Sequence, residues 1–213
     1  MPLTVNHFTF MDYNTIPNDA ALAETVQNMQ GRAFNVSVVD TREQALDAII
    51  KMIPQGATVM NGSSTTLQEI GFVDYLQKNE HDWQNMHTSL LAEKDPAKQR
   101  DLRRASVTAD YFLGSVNAIA QTGELVAADA TGSRISAYVF PARHVIIVSG
   151  TNKIVPTLAD ALVRVREHVY NLEDERAKKA YGFGTSLGKL VIIEKEALPH
   201  RLTVILVKEK LGF

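Results

Sequence analysis

The stretch of sequence that decides the fold reads Thr58-Val-Met-Asn-Gly-Ser-Ser-Thr-Thr-Leu-Gln-Glu-Ile-Gly71. It begins inside an apolar run, Ala57 to Met60, which is typical of a buried strand. Hydroxyl residues follow Asn61-Gly62, and a helical pattern then extends from about Thr65 to Lys78. A strand, a Gly/Ser/Thr turn and a helix in this order are typical of an α/β protein.

The turn from Gly62 to Thr66 supports two interpretations. In the first it binds an anion, because the first turn of a helix leaves N–H groups unpaired and the hydroxyls of Ser63, Ser64, Thr65 and Thr66 add donors. In the second it is an ordinary helix start that Ser64 or Thr65 caps. The segment matches neither the P-loop nor the dinucleotide-binding pattern, so it names no ligand.

The composition favours a globular protein with a full hydrophobic core. Its 213 residues are 45% hydrophobic, which suits one α/β domain over residues 1–213, with residues 1–30 as an N-terminal helical extension. A net charge of −2 gives no electrostatic reason to expect nucleic acid or membrane as partners. The absence of cysteine excludes disulfides, a nucleophilic thiol and cysteine-ligated clusters. The first residues lack a signal-peptide pattern, so a cytoplasmic location is expected.

Helical and strand patterns alternate in the first half of the chain. Asn18 or Asp19 is placed to cap a helix, Phe34 to Val39 alternates like a strand, and Thr41 is placed to cap the next helix. A further helix is expected to open at Asp95-Pro96. This pattern predicts a mostly parallel sheet covered by helices on both faces.

The second half is richer in strands. Short apolar segments at Tyr111 to Leu113, Ser115 to Ala120 and Glu124 to Ala128 predict a smaller antiparallel part. The continuous apolar run Val145 to Val148 predicts a strand buried on both faces. A long helix after Pro156 is expected next, followed by a Gly-rich loop and two strands, Leu190 to Ile193 and Leu202 to Val207.

Four segments, in this order and spacing, resemble one family. They are Asn61-Gly-Ser-Ser-Thr-Thr-Leu-Gln-Glu-Ile-Gly71, Ala118-Ile-Ala-Gln-Thr-Gly-Glu-Leu125, Thr131-Gly-Ser-Arg134 with the following Phe140-Pro-Ala-Arg-His-Val-Ile-Ile147, and Gly150-Thr-Asn-Lys-Ile-Val155. The chain is similar to LUD-domain proteins, the lactate-utilisation domain family. That resemblance implies the fold group of ribose-phosphate isomerases, glucosamine-phosphate deaminases, CoA transferases and formyltetrahydrofolate cyclo-ligases. It also implies a link to lactate oxidation or a neighbouring organic-acid pathway.

Two departures restrict the chemistry that the resemblance implies. CoA transferases use a carboxylate nucleophile near a glycine, whereas this chain has Gln121 before Gly123, and a carboxamide cannot form the acyl anhydride. Covalent CoA transfer would require Glu124 to take that role. Larger lactate-utilisation proteins carry cysteine-rich cluster-binding regions that this chain lacks. Redox chemistry would therefore need a borrowed cofactor, of unknown identity, or a redox partner subunit.

The candidate ligand-binding residues lie in turns that follow predicted strands. Arg134 offers a planar fork for a carboxylate or phosphate, and Asn152 and Lys153 lie where ligands of open α/β sheets bind. The alternatives are a surface arginine at a helix start and a loop lysine beside a turn asparagine. The full set of predicted ligand-binding residues is Gly62, Ser63, Ser64, Thr65, Thr66, Thr122, Gly123, Ser133, Arg134, Asn152 and Lys153.

The candidate for proton transfer is Glu124, which lies beside Gly123 in an otherwise small or apolar segment. Burial would raise its pKa and suit it to acid–base work; the alternative is a solvent-facing glutamate at a turn. The histidines are scattered, so no metal site is predicted. The basic patch between Lys98 and Arg104 is either a solvated face or a partner surface.

These observations lead to three functional hypotheses. The first is an enzyme or enzyme subunit of organic-acid metabolism that binds a small anionic metabolite. The second is a non-catalytic metabolite-binding or scaffold component of an oxidising complex. The third is a cyclo-ligase-like enzyme that depends on a nucleotide. The apolar end of the chain, Leu202 to Phe213, is expected to pack within the chain or against a second copy in a homo-oligomer.

Overall fold

Helices and strands alternate in the first part of the chain and are less regular beyond Asn61, and the computed structural model describes residues 12–213. The expectations about a leader and the first part of the N-terminal extension fall on residues 1–11, outside the described residues. The elements are α1 (Asp19–Gly31), β1 (Asn35–Val39), α2 (Arg42–Met52), β2 (Thr58–Asn61), α3 (Thr65–Glu69), α4 (Phe72–Lys78), β3 (Gln84–Asn85), α5 (Met86–Ala92), α6 (Pro96–Ser106), β4 (Tyr111–Gly114), β5 (Ala118–Ala120), β6 (Leu125–Asp129), α7 (Ile135–Val139), β7 (His144–Gly150), β8 (Ile154–Val155), α8 (Leu158–Val163), α9 (Tyr170–Tyr181), β9 (Lys189–Ile193) and β10 (Leu202–Val207). A 3₁₀ turn covers Thr151–Lys153, and a π-helical turn, Arg164–Val169, joins α8 to α9.

The larger sheet has six strands in the order β1-β10-β7-β4-β2-β3, and all of its pairs are parallel. Its centre is β7, which lies between β10 and β4. Val145 to Val148 are almost completely buried, as the apolar run predicts. Ile147 packs in one core cluster and Ile146 in another, because successive side chains of a strand point to opposite faces. Both faces of the sheet are therefore covered.

The smaller sheet has the order β8-β5-β6-β9. Strands β5 and β6 form an antiparallel hairpin in which Ala118 lies opposite Val126, and β8 adds in parallel to β5. Helix α8 packs on this sheet through Ala161. The predicted fold class, a mostly parallel sheet covered by helices with a smaller antiparallel part, is confirmed.

Capping residues place the first helices where the sequence predicts them. The Asn18 side chain accepts the N–H of Ala21 at 2.9 Å and starts α1. Thr41 and Gln44 form a reciprocal capping box at α2. Helix α1 packs on the domain through Leu22 and Met29, which are buried in the larger core cluster.

Three elements differ from their predicted extent. The helix predicted from Thr65 to Lys78 is divided into α3 and α4 at Gly71, whose φ of 78° lies in the left-handed region. The strand predicted from Ser115 is shorter and begins at Ala118. The long helix after Pro156 contains the π-helical turn Arg164–Val169. No helix within residues 12–213 is long and apolar enough to cross a bilayer.

Candidate functional site

Three adjacent strands deliver the candidate residues to one edge of the larger sheet. Strands β7, β4 and β2 are neighbours and parallel, so their carboxyl ends share that edge. The turn Gly62–Thr66 follows β2, Ser115 follows β4, and the 3₁₀ turn Thr151–Lys153 follows β7.

Lys153 is the centre of the arrangement. Its side chain is buried, and its Nζ donates to the hydroxyl oxygens of Thr66 and Ser115, each at 3.0 Å, and to the carbonyl oxygen of Val116 at 3.2 Å. These three acceptors match the three N–H groups of an ammonium. The turns after β2, β4 and β7 therefore meet at this one nitrogen.

The charge of Lys153 is poorly compensated. Within residues 12–213 it makes no salt bridge. Burial, together with the charges of Arg164 and Arg134, lowers the pKa of Lys153 from 10.5 to about 7, against a smaller opposing effect of Glu69. At neutral pH the amine is thus poised between its charged and neutral forms.

Arg134 also contacts Ser115, in the segment that accepts hydrogen bonds from Lys153. Its Nη1 donates to the carbonyl oxygen of Ser115 and its Nη2 to that of Ala128, both at 2.6 Å, while Nε lies 3.7 Å from a carboxylate oxygen of Asp129. Gly62 lies against the arginine stem, since a Cβ built there would be 2.5 Å from Arg134 Cδ. The guanidinium is therefore committed largely to backbone carbonyls.

The loop that carries Arg134 is organised by Asp129. Its carboxylate accepts the N–H groups of Thr131, Gly132 and Arg134 at 2.9, 2.8 and 3.2 Å. Burial alone would raise the pKa of Asp129, but these N–H groups and the Arg134 charge outweigh it and lower the pKa. An ionised Asp129 thus fixes the position of Arg134 at neutral pH.

Two residues of the turn Gly62–Thr66 have different roles: one accepts a hydrogen bond from Lys153 and the other caps a helix. Thr66 is buried against Lys153, whereas the Ser64 oxygen accepts the N–H of Leu67 at 3.3 Å and caps α3. Ser63 is exposed and Thr65 is half-buried. The capping interpretation therefore holds for Ser64, and Thr66 is the residue of this turn that meets the buried cation.

A short segment, Glu209 to Gly212, crosses over the lysine; we call it the strap. Asn152 holds it, because its Oδ1 accepts the N–H of Leu211 at 3.1 Å. The N–H of Gly212 donates to Glu69 at 2.6 Å, and Glu209 pairs with Arg42 at 2.6 Å. A Cβ on Gly212 would collide with the Thr66 hydroxyl and lie 3.1 Å from Lys153 Nζ. The strap thus closes the site.

Glu124, Thr122 and Gly123 lie elsewhere. They form the turn between β5 and β6, whereas Ser115 and Asp129 lie at the other end of that hairpin. Glu124 pairs with Arg32 and accepts the Thr122 hydroxyl. The structure does not bring these three residues together with Lys153, because the hairpin extends between the two ends.

Ser133 faces a separate groove. This groove has a volume of about 680 Å³ and lies between the Thr131–Ser133 turn and helix α6, which contributes Arg100, Arg103 and Arg104. The basic patch noted in the sequence therefore forms one wall of a concave surface.

Sequence reasoning missed two residues of the site. Ser115 was included in a strand, yet it lies in the irregular segment that holds Lys153. Arg164 is fully buried and donates to the carbonyl oxygen of Asn117, next to Val116. Nothing in the sequence distinguishes Arg164 from Arg166, which lies two residues later on the same helical segment and is exposed.

Comparison with known proteins places the chain in a family. The model of the LUD domain matches residues 22–207. The crystal structure of a DUF162 family protein from Deinococcus radiodurans superposes with a TM-score of 0.56 at 15% identity, covering 91% of this chain and 99% of that one. At that identity the likeness shows the fold alone.

Other solved structures are more distant. eIF2B beta and eIF2B delta from Chaetomium thermophilum match with TM-scores of 0.34 and 0.33 at 14% and 13% identity. These alignments cover 56% and 68% of this chain and 44% and 54% of the two eIF2B chains, and they support no further argument. No curated protein sequence matches. By its family match over residues 22–207 and by its fold, the chain belongs to the LUD-domain family.

Proposed function

We propose that this chain binds a small anionic metabolite at Lys153 and serves lactate or related organic-acid utilisation in the cytoplasm, as an enzyme or as an enzyme subunit. The observation that carries the proposal is the buried Lys153 amine, which meets two hydroxyls and one carbonyl but no carboxylate within residues 12–213. The organic-acid link rests on membership of the LUD-domain family.

A buried cation without a counter-charge is unfavourable, because desolvation is not offset by ion pairing. A bound carboxylate or phosphate supplies that counter-charge in a low-dielectric setting. Thr66 is suited to assist, since its hydroxyl accepts from Lys153 and its own O–H has no acceptor in the described part of the chain. The ligand would reach Lys153 when the strap, with Gly212, lifts away from Thr66 and Lys153.

The pKa of Lys153 near 7 also supports a role in proton transfer. A group whose pKa lies close to the working pH can both accept and release a proton efficiently. Lys153 is therefore a stronger candidate than Glu124, which is paired with Arg32 at the far end of the hairpin. Turnover by the isolated chain would separate an enzyme from a binding subunit.

Calorimetric titration of L-lactate, pyruvate and inorganic phosphate into the full chain tests the proposal. We expect micromolar to millimolar binding of at least one of these anions, weakened at least tenfold in Lys153→Met. Lys179→Met is the matched control, because Lys179 is exposed on α9. Equal affinity in the wild type and Lys153→Met, or no binding of any of the three anions, would exclude Lys153 as the anion site.

The pH dependence of binding provides a second measurement. A bound anion raises the pKa of Lys153 above its unliganded value of about 7, so binding above pH 7 takes up a proton. The affinity for lactate, whose own charge is constant in this range, should be constant below pH 6.5. It should then fall by up to about tenfold per unit above pH 7.

A further inference from the structure

Arg164 is a second buried cation beside the site. It is fully buried, and its single hydrogen bond runs from Nη1 to the carbonyl oxygen of Asn117. Its Nε and Nη2 have no partner within residues 12–213, and it makes no salt bridge there. The ring of Tyr13 lies 5.5 Å from the guanidinium carbon, which supports one face of the group but uses none of its N–H donors.

A second buried arginine, Arg201, shows how such a group is normally satisfied. Arg201 pairs with Glu196 at 2.7 Å and donates to the carbonyl oxygens of Ala137, Tyr138 and Ala142. Every nitrogen of its guanidinium has an acceptor. The two Arg164 nitrogens without a hydrogen-bond acceptor within residues 12–213 are therefore specific to that position, because this fold satisfies the buried guanidinium of Arg201 completely.

Arg164 and Lys153 converge on the same dipeptide. Lys153 donates to the carbonyl oxygen of Val116, and Arg164 donates to that of Asn117. Their charges are close enough for Arg164 to contribute to the lowered pKa of Lys153. Within residues 12–213 the only other buried side-chain polar atom without a partner is the Thr151 hydroxyl, two residues before Lys153. The unsatisfied groups are thus concentrated around this lysine.

We propose that Arg164 is a second anion-binding residue of the Lys153 site, and that the ligand is a small dianion with one anionic group on Lys153 and the other on Arg164. The inference rests on the proposed function and narrows its ligand class to short dicarboxylates or phosphorylated acids. Nε–H and one N–H of Nη2 point in parallel from one edge of the guanidinium. They match two oxygens of a carboxylate or a phosphate group.

Malonate and L-lactate test whether a second anionic group strengthens binding, because both have three carbons but only malonate is a dianion at pH 7.5. Calorimetric titration at constant ionic strength should give malonate at least tenfold tighter binding than lactate or inorganic phosphate, because phosphate has only one anionic group. Arg164→Met should weaken the dianion roughly 10- to 100-fold and lactate by less than threefold. Lys153→Met should weaken both. Arg166→Met is the matched control, because Arg166 is exposed on the same helical segment.

The unliganded stability of the variant adds a test that needs no ligand. Arg164→Met removes an incompletely paired buried charge, so its melting temperature should equal or exceed that of the wild type. Arg164→Lys keeps the charge but loses the fork. It should retain lactate binding and lose most of the preference for the dianion, which keeps the test available if Arg164→Met folds poorly.

The outcomes separate the two proposals. If no anion binds in a Lys153-dependent manner, the proposed function fails. If lactate binds through Lys153 while malonate and phosphate bind no tighter and Arg164→Met changes neither, only the assignment of Arg164 fails. Malonate that binds tighter than both lactate and inorganic phosphate supports a ligand with two separate anionic groups. Phosphate that binds tighter than malonate would overturn that arrangement, because its charge is carried by one group.

Discussion

Replacement of Lys153 by methionine should reveal the buried charge through the pH dependence of folding. Burial lowers the pKa of this amine to about 7 from 10.5, the value expected in the unfolded chain. Between those two values the unfolded chain holds a proton that the folded chain has released. The free energy of unfolding therefore rises with pH across this window, and the full destabilisation by the charged amine is present below pH 7.

The structure sets the size of the effect. Each pH unit inside the window is equivalent to about 1.4 kcal/mol, so the wild type gains about 3 kcal/mol from this group between pH 7 and pH 9. Methionine has a similar length and no charge. The stability of Lys153→Met relative to the wild type should accordingly be greatest and constant below pH 7, and then fall by about 3 kcal/mol by pH 9. Loss of the three Nζ hydrogen bonds adds an offset that does not depend on pH.

Urea unfolding followed by circular dichroism at pH 6, 7, 8 and 9 measures this difference. Lys179→Met controls for general effects of pH and of removing a lysine, and its difference from the wild type should stay constant. A stability difference between Lys153→Met and the wild type that also stays constant from pH 6 to pH 9 would refute the lowered pKa of Lys153. It would also show that burial does not destabilise the charged amine, so that no anion would be needed to compensate its charge.

Three further predictions concern the framework of the site. Gly114→Ala should destabilise the fold by roughly 1 to 3 kcal/mol in urea unfolding, because its Cβ would overlap the buried Tyr138 hydroxyl, whereas Gly31→Ala, whose Cβ meets nothing, should be close to neutral. Ile147→Asp places an unpaired charge in the central strand and should abolish soluble expression; a normally melting variant would contradict the burial of β7. Leu211→Ala should lower stability by about 2 to 4 kcal/mol, since this strap residue is fully buried, and a neutral result would show that the strap does not pack.

Much of the fold could be predicted because local signals and burial agree. Asn18 and Thr41 cap helices that then bury an apolar face, and Val145 to Val148 form the central strand that a continuous apolar run favours. The errors fall where one residue changes the backbone. Gly71 divides a periodic helix, and the segment from Ser115 to Asn117 leaves the sheet although its neighbours are apolar. Hydrophobic periodicity does not register either event.

The site was only partly predictable for a related reason. Lys153 and Thr66 follow strands that are parallel neighbours, so the topology rule is enough to place them at one edge. Glu124 is a candidate only through its nearness in sequence to Gly123. It lies at the turn of the β5–β6 hairpin, and the length of the hairpin separates it from Lys153 and Ser115. Arg164 could not be recognised, since its burial depends on Tyr13 and Asn117, which are distant in sequence.

The glycines around the site show why its polar residues can be buried together. Gly62 leaves room for the stem of Arg134, Gly114 for the hydroxyl of Tyr138, and Gly212 for Lys153 and Thr66. Arg134 and Tyr138 then both donate to the carbonyl oxygen of Ser115, which holds the loop beneath Lys153. A side chain at any of these glycines would displace a polar side chain of the site. The absence of a Cβ at these glycines, more than their backbone flexibility, therefore provides the room in which Lys153 and Arg164 both reach the Ser115–Asn117 segment.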